Sequence, residues 1–87
     1  MHDDELIARH IELDSFRPWP GEALVRDSGV PVWALIGHYY AVDQNAAEVA
    51  HDYHIPLEEV MAALAYYRRH KGDIDARLAQ NAPPATI

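Results

Sequence analysis

Histidine is the residue type in this sequence with the clearest capacity for chemistry. His51 and His54 form an H-x-x-H pair, and His38 and His70 lie on either side of it. If one helix continued through the pair, two imidazoles would share one face, a spacing suited to a transition metal. Pro56 predicts instead that the helix ends near residue 53, so that the pair straddles a helix terminus. Because no third ligand has a diagnostic spacing either, we predict solvent-facing or helix-capping histidines, with no metal site and no cofactor.

Carboxylates also occur in close pairs, a pattern that general acid–base catalysts use. The pairs are Asp3 and Asp4, Glu58 and Glu59, and Asp73 and Asp75. Such catalysis needs carboxylates held in a concave, partly dry pocket, and 87 residues in short helices leave little room for one. Acids equally suit the first turn of a helix, where they complement the helix dipole. The sequence also lacks a phosphate-binding glycine loop and a nucleophile elbow, so we predict that the protein is not an enzyme.

Residues 45–71 carry the strongest structural pattern, a short helix, a tight turn and a longer helix. Asn45 followed by Glu48 predicts a capped helix start, and the proline at position 56 predicts the break between the helices. Gly72 predicts the end of the second helix, after a last turn rich in cations. The predicted apolar stripe of that second helix comprises Leu57, Val60, Met61, Leu64 and Ala65. This pattern is typical of a helix-turn-helix.

Weaker patterns precede the motif. Alternation of apolar and polar side chains at residues 11–13 predicts a short strand, and the run 23–26 predicts a second one. The prolines and glycine of residues 14–21 predict an irregular loop between them. Residues 6–8 fit a helical turn as well as they fit a strand.

Two further helices are predicted around the motif. Pro31 suits the first position of a helix that runs to about Tyr40, and a last short helix should follow the motif. The fold class is therefore mainly α, a small helix-turn-helix of three to four helices with a short N-terminal β-hairpin or strand pair. We expect one domain over residues 1–80, with its core at 21–78, and a loose tail at 81–87.

The distribution of charge bears on nucleic-acid binding. The chain has a formal net charge of −7, from 14 acids against 7 Lys and Arg residues. A DNA-binding protein normally presents a basic face, because phosphate contacts supply most of its non-specific affinity. No Lys or Arg lies between Arg26 and Arg68, whereas the same interval contains Asp27, Asp43, Glu48, Asp52, Glu58 and Glu59. The candidate DNA contacts are limited to Arg26, Arg68, Arg69 and Lys71.

Composition sets further limits on the class of protein. The sequence has no cysteine, which excludes disulfides and thiolate chemistry. Its acidic N-terminus does not resemble a signal peptide, and the apolar run around residues 30–42 is too short and too polar to span a bilayer. We therefore expect a cytoplasmic protein without membrane association.

The helix predicted after Pro31 is apolar over most of its circumference. A domain of this size buries only a modest core and is often marginally stable alone. Val32, Trp33, Ile36 and Tyr40 offer more apolar surface than two short helices would cover. These four residues are the candidate interface of a homodimer.

Residues 21–70 also carry short motifs of a known family. The motifs are Gly21-Glu22-Ala23, Leu24-Val25-Arg26, Ser28-Gly29-Val30-Pro31-Val32, Glu48-Val49, Asp52-Tyr53, Leu57-Glu58-Glu59-Val60 and Ala62-Ala63-Leu64-Ala65-Tyr66, followed by His70. At these positions the sequence resembles domain-of-unknown-function family 433, whose members look like VapB-type antitoxins with a helix-turn-helix. The resemblance implies this fold and a place in a toxin–antitoxin pair. Glu22, Gly29 and Pro56 depart from the family's lysine, arginine and threonine, and the first two changes each remove a candidate phosphate contact.

Three functional hypotheses follow. The first is a small dimeric antitoxin-like protein that acts mainly by protein–protein binding, with an acidic surface that neutralises a basic, nuclease-type toxin. The alternative is a DNA-binding transcriptional regulator that uses residues 45–70. The third is a protein-interaction module without a toxin, in which the helix-turn-helix is only a scaffold.

Overall fold

The computed structural model describes residues 2–81, which form five α-helices and one two-stranded antiparallel sheet. The helices are α1 (His2–His10), α2 (Val32–Ala41), α3 (Ala46–Tyr53), α4 (Leu57–Arg69) and α5 (Lys71–Asn81). The strands are β1 (Ile11–Glu12) and β2 (Leu24–Val25), with a 3₁₀ turn at Pro20–Glu22 between them. The fold is mainly helical with a strand pair, as predicted, but it has more helices than the three to four expected.

Helix α1 is the element that the sequence left open. Residues 6–8 fitted two kinds of structure, and the chain forms a nine-residue helix around them. Three acids lie in its first turn, and Arg9 and His10 lie in its last turn, an order of charges that complements the helix dipole. Leu6 and Ile7 pack, partly buried, against the core. Three residues are too few to predict a helix from their period. The formation of α1 therefore depends on the neighbour against which it packs.

The predicted strand pair is present between β1 and β2. Ile11 pairs with Val25, and Glu12 pairs with Leu24, in an antiparallel arrangement. Ile11 and Val25 are buried, so the sheet contributes one apolar pair to the core. Leu13, which was predicted to belong to the first strand, lies beyond it and is half exposed.

Helix α4 is the centre of the fold. It packs against α1, α2, α3 and α5, and eight of its 13 residues are buried. These are Glu59, Val60, Ala62, Ala63, Leu64, Ala65, Tyr66 and Tyr67. The alanines have no exposed surface and permit the neighbouring helices to approach closely.

The predicted apolar stripe of α4 is therefore wrong in part. Leu57 and Met61 lie on its exposed side, whereas Ala62 and Ala63 are fully buried. The predicted stripe assumes a helix with one buried face. Neighbours on several sides of α4 instead bury it over most of its circumference.

Helix α3 and the turn that follows it have the boundaries that the sequence predicts. The Asn45 side chain accepts a hydrogen bond from the Glu48 backbone N–H at 3.1 Å, and the Asn45 N–H is bonded to the Val42 carbonyl. His54 ends α3 in the left-handed conformation, with φ 57° and ψ 44°. Pro56 then precedes α4 in an extended conformation, which directs the chain into the second helix.

The start of α5 differs from the prediction. His70, not Gly72, separates the last two helices, because its N–H bonds to the carbonyls of Tyr66 and Tyr67 at the end of α4. Gly72 lies inside the first turn of α5, and Ile74 of that helix is fully buried. Asn81 is the last residue of α5; the rest of the predicted tail, residues 82–87, lies outside the described residues.

Replacement of Ala63 by leucine should lower the free energy of unfolding by about 1–3 kcal/mol, because the added methyl groups enter a fully packed site. Urea-induced unfolding followed by circular dichroism measures the change. Met61→Leu on the exposed side of the same helix is the matched control and should change stability by less than about 0.5 kcal/mol. Equal effects of the two substitutions would contradict the central position of α4.

Candidate functional site

The exposed face of α4 occupies the position of a recognition surface in the predicted helix-turn-helix. Its most exposed apolar side chains are Leu57 and Met61, at 47% and 38% exposure, one helical turn apart. Glu58 lies beside Leu57 and is also exposed. In a DNA-binding helix-turn-helix, base contacts come from the N-terminal residues of the second helix. Here those positions offer two apolar side chains and one carboxylate.

Other residues that would read bases are removed from the surface. Glu59, Ala62 and Ala63 occupy the same first turns of α4, and all three are buried among the surrounding helices. Their place near the start of α4 is that of base-reading residues in a helix-turn-helix, but the packing of α4 keeps them from solvent.

Helix α1 lies antiparallel across α4, and ion pairs join the two helices at both ends. At the C-terminal end of α4, Arg68 donates two hydrogen bonds to Asp3, at 2.8 and 3.1 Å, and Arg69 pairs with Asp4. At its N-terminal end, Glu58 lies 2.5 Å from the Nε2 atom of His10. The acids of α1 therefore face the basic end of α4, where a DNA-binding protein would need free cations.

These contacts shift the ionisation of the acids involved. The hydrogen bond from Arg68 lowers the pKa of Asp3, and that from His10 lowers the pKa of Glu58. On the other side of the motif, Asp52 lies 2.7 Å from the Nε2 atom of His38, and this contact lowers the pKa of Asp52. All three carboxyl groups are held in their charged form.

Each of the seven Lys and Arg residues has a carboxylate within 4.0 Å. The pairs are Arg9 with Glu58, Arg17 with Glu22, Arg26 with Glu12, Arg68 with Asp3, Arg69 with Asp4, Lys71 with Asp75, and Arg77 with Glu22. Pairs at an exposed surface add little stability. They do place a negative charge beside every cation that phosphate would have to approach.

The four candidate DNA contacts are among these paired cations, and two of them have further partners within the chain. Arg26 also donates hydrogen bonds to two backbone carbonyls, that of Arg9 near the end of α1 at 2.7 Å and that of Ile11 in β1 at 3.3 Å. Lys71 donates to Asp75 at 2.7 Å, and the hydroxyl of Tyr67 donates to the same carboxylate. Burial, together with this bond, raises the pKa of Tyr67 to about 12.

The four candidate interface residues of α2 differ in exposure. Val32 and Ile36 are fully buried in the core of the single chain. Trp33 is partly covered by the Arg77 guanidinium, which lies 4.3 Å from its ring centre. Tyr40 is half exposed and has edge contacts with the rings of Tyr39 and Tyr67. The homodimer stays a prediction, with Tyr40 as the accessible member of the set.

Two clusters in the described residues bring three potential metal ligands together. The first is Glu48, His51 and Asp52, all exposed on α3. His54 lies at the end of α3, with its ring centre 6.5 Å from that of His51, so the H-x-x-H pair straddles the helix terminus as predicted.

The second cluster contains His10, Asp27 and Glu59, whose ligand atoms all lie within 4.8 Å of one another. It joins the end of α1, the turn after β2 and the first turn of α4. Sequence reasoning missed it, because the three residues are far apart along the chain and have no diagnostic spacing. The signal that was available is the position of Glu59, which directly precedes a helical run without charged side chains, residues 60–67.

Two clefts on the described part of the chain are small. One of about 180 Å³ is lined by residues of α1 together with Glu58, and another of about 190 Å³ lies beside Trp19 and Arg77. A small-molecule site typically has a volume of about 300–1,000 Å³. The expectation that the protein is not an enzyme stays a prediction.

Comparison with protein families identifies the family of this chain. A family model described as "Protein of unknown function (DUF433)" matches residues 20–67, more than half of the chain. The chain belongs to the DUF433 family. Neither the comparison with curated proteins nor that with solved structures gave a match.

The DUF433 segment contains the strand β2, the helices α2 and α3 and most of α4, but not the helices at either end. Helices α1 and α5 lie outside residues 20–67. The element that covers α4 with acids is therefore contributed by the flanking sequence. Among residues 2–81, no helix combines the length and apolar character that crossing a membrane requires.

The lowered pKa of Asp3 predicts how stability depends on pH. Such a carboxylate stabilises the folded chain above its unfolded pKa, and this stabilisation is lost as the pH falls through the lower, folded pKa. The loss begins as the pH approaches the ordinary value of 3.8. Asp3→Asn should therefore flatten the acid decline in the free energy of unfolding, measured by urea titrations from neutral pH to about pH 2.

The matched control is Asp43→Asn, at an exposed position in the turn between α2 and α3. Asp43 has φ 57°, a conformation that asparagine also accepts, so the substitution keeps the backbone. It should leave the acid decline unchanged. An equal flattening in both variants would contradict a specific contribution from the pair of Asp3 and Arg68.

Proposed function

We propose that this DUF433 protein is an antitoxin-like protein that acts by binding a basic protein partner, such as a nuclease-type toxin. The observation that carries the proposal is the character of the exposed face of α4. Leu57 and Met61 present apolar surface there, with the carboxylate of Glu58 beside them. Because Glu58 is paired with Arg9 and His10, the two apolar side chains have no free cation beside them. Such a surface suits a protein partner and is poorly suited to a phosphate backbone.

The charge of the whole chain supports the same kind of partner. Its net charge is −7, and its cations all lie beside carboxylates of the same chain. Asp43 and Glu48 are exposed and form no ion pair with a Lys or Arg of residues 2–81. An excess of one sign of charge steers an oppositely charged partner and repels nucleic acid.

A nuclease is a partner for which this surface has a direct consequence. An enzyme that cleaves RNA holds its substrate on a basic surface. An acidic protein bound over that surface would exclude the RNA and neutralise the enzyme. The apolar pair on α4 would supply contact area, and the acids would supply orientation and a fast encounter.

The alternative is a DNA-binding regulator that uses residues 45–70. For that function, Arg68 and Arg69 would have to exchange their carboxylates on α1 for phosphates. Asp3 and Asp4 would remain close by and oppose the exchange, because like charges repel at this distance. Leu57 and Met61, the apolar part of the proposed surface, are exposed without any such rearrangement.

A homodimer is part of the proposal but is not needed for it. Tyr40, half exposed on α2, offers apolar surface away from the buried Val32 and Ile36. A two-fold contact at this position would add area to a small domain.

The proposal predicts a partner next to this protein's own reading frame, namely a small basic nuclease-like protein that co-purifies with it. Leu57→Ser should weaken that complex about tenfold or more, because it removes a central apolar contact. Isothermal titration calorimetry of the purified pair measures the affinity. Rising salt concentration should also weaken the wild-type complex, since the partner is attracted by charge.

Phe16→Ser is the matched control, because Phe16 is 91% exposed in the loop after β1 and is also a large apolar residue. It should leave the affinity within about twofold of the wild-type value. A complex that is unchanged by Leu57→Ser, or unchanged in high salt, would contradict the proposed interface.

The contact between α1 and α4 makes a separate prediction about DNA. The double variant Asp3→Asn with Asp4→Asn should bind duplex DNA more tightly than the wild-type chain, because it frees Arg68 and Arg69. A gel-shift assay at low salt measures this. The wild-type chain should not retard the duplex at micromolar concentration.

Asp43→Asn combined with Glu48→Gln also removes two negative charges, at exposed positions outside α1 and α4. This control separates the release of Arg68 and Arg69 from the change in net charge, and it should bind DNA more weakly than the double variant on α1. Retardation by the wild-type chain would favour the DNA-binding alternative.

A further inference from the structure

A buried carboxylate at the start of α4 is the least expected group in the core. Glu59 is 5% exposed, and its Oε1 atom has no hydrogen-bond partner among the described residues. A buried charge without a partner destabilises a fold, because burial removes its hydration. Buried polar groups are nearly always paired, so an exception points to a missing ligand.

Two other ligand-type side chains converge on this carboxylate. His10 approaches from the end of α1, and Asp27 approaches from the turn after β2. The three ligand atoms all lie within 4.8 Å of one another. Ligands around one ion at about 2.0–2.2 Å lie roughly 3–4 Å apart, so a modest movement of the exposed Asp27 side chain closes the set.

We propose that His10, Asp27 and Glu59 bind one divalent transition-metal ion, with Zn²⁺ as the best match. One imidazole nitrogen and two carboxylate oxygens form a mixed ligand set that Zn²⁺ accepts and that is less suited to Mg²⁺ or Ca²⁺. A cation there satisfies the unpartnered Glu59 oxygen. Because Asp27 is exposed, water reaches the remaining coordination position.

The surroundings of His10 fit this role. Its Nε2 atom lies 2.5 Å from the Oε2 atom of Glu58. Metal-binding histidines commonly have one ring nitrogen held by a carboxylate, which fixes the ring and leaves the other nitrogen for the metal. The His10 side chain is only 13% exposed, so its orientation is restricted by packing as well.

The exposed cluster on α3 lacks this support. Glu48, His51 and Asp52 are all exposed, and Asp52 is already in contact with His38 and His51. None of the three is a buried group without a partner. This cluster therefore serves as the internal control for weak, adventitious binding of metal.

The ion would hold together three elements that meet near the first turn of α4. Two of its ligands, Asp27 and Glu59, lie in the DUF433 segment, and His10 lies outside it. Metal would therefore fasten α1 onto the family core and fix the position of the acids that face Arg68 and Arg69. The inference stands independently of the proposed protein partner.

The test uses the full chain freed of metal with a chelator and titrated with Zn²⁺ by calorimetry. We expect one site in the micromolar range or tighter, a rise of several degrees in the melting temperature, and weaker binding of Mn²⁺, which precedes Zn²⁺ in the affinity order. Asp27→Asn and Glu59→Gln should each weaken Zn²⁺ binding at least about tenfold. Glu48→Gln with His51→Ala should leave this site unchanged.

The variants separate a metal site from a structural role. Glu59→Gln removes a buried charge and should leave the metal-free chain at least as stable as the wild type. Asp27 is exposed, so Asp27→Asn tests the site without disturbing the core. Absence of a single Zn²⁺ site would overturn the proposal, as would unchanged binding by Asp27→Asn or loss of binding only in the variant on α3.

Discussion

The burial of α4 on several sides is the constraint on which the rest of this structure depends. The other helices pack around it, and the alanines at its centre permit their close approach. A helix with this role in the core has few side chains left for a partner. On its N-terminal half those are Leu57, Glu58 and Met61, so the packing limits what α4 can present to any partner.

The ion pairs between α1 and α4 determine the second property, the electrostatic character of the surface. Asp3 and Asp4 lie against Arg68 and Arg69, and His10 and Arg9 lie against Glu58. Such pairs add little to stability, because exposed ions are well solvated without each other. Their effect is to make the cations less available to phosphate, since each cation already lies beside a carboxylate.

Glu59 connects the core with a candidate site. Natural sequences usually follow the rules of burial everywhere except where function requires an exception. Here the exception is one carboxylate, buried beside His10 and Asp27, with an oxygen that has no hydrogen-bond partner within residues 2–81. A bound cation gives this residue a physical reason to be in the core, which the packing of α4 alone does not.

The sequence by itself determined the features that depend on neighbouring residues: the cap at Asn45, the break before Pro56 and the strand pair around Ile11. Local signals specify these, because capping, proline geometry and alternation act over a few residues. Tertiary structure decided that α1 is a helix, which face of α4 is buried, and that each cation has a carboxylate beside it. It also brought together His10, Asp27 and Glu59, and contacts of this kind depend on how helices pack, which no short window of sequence contains.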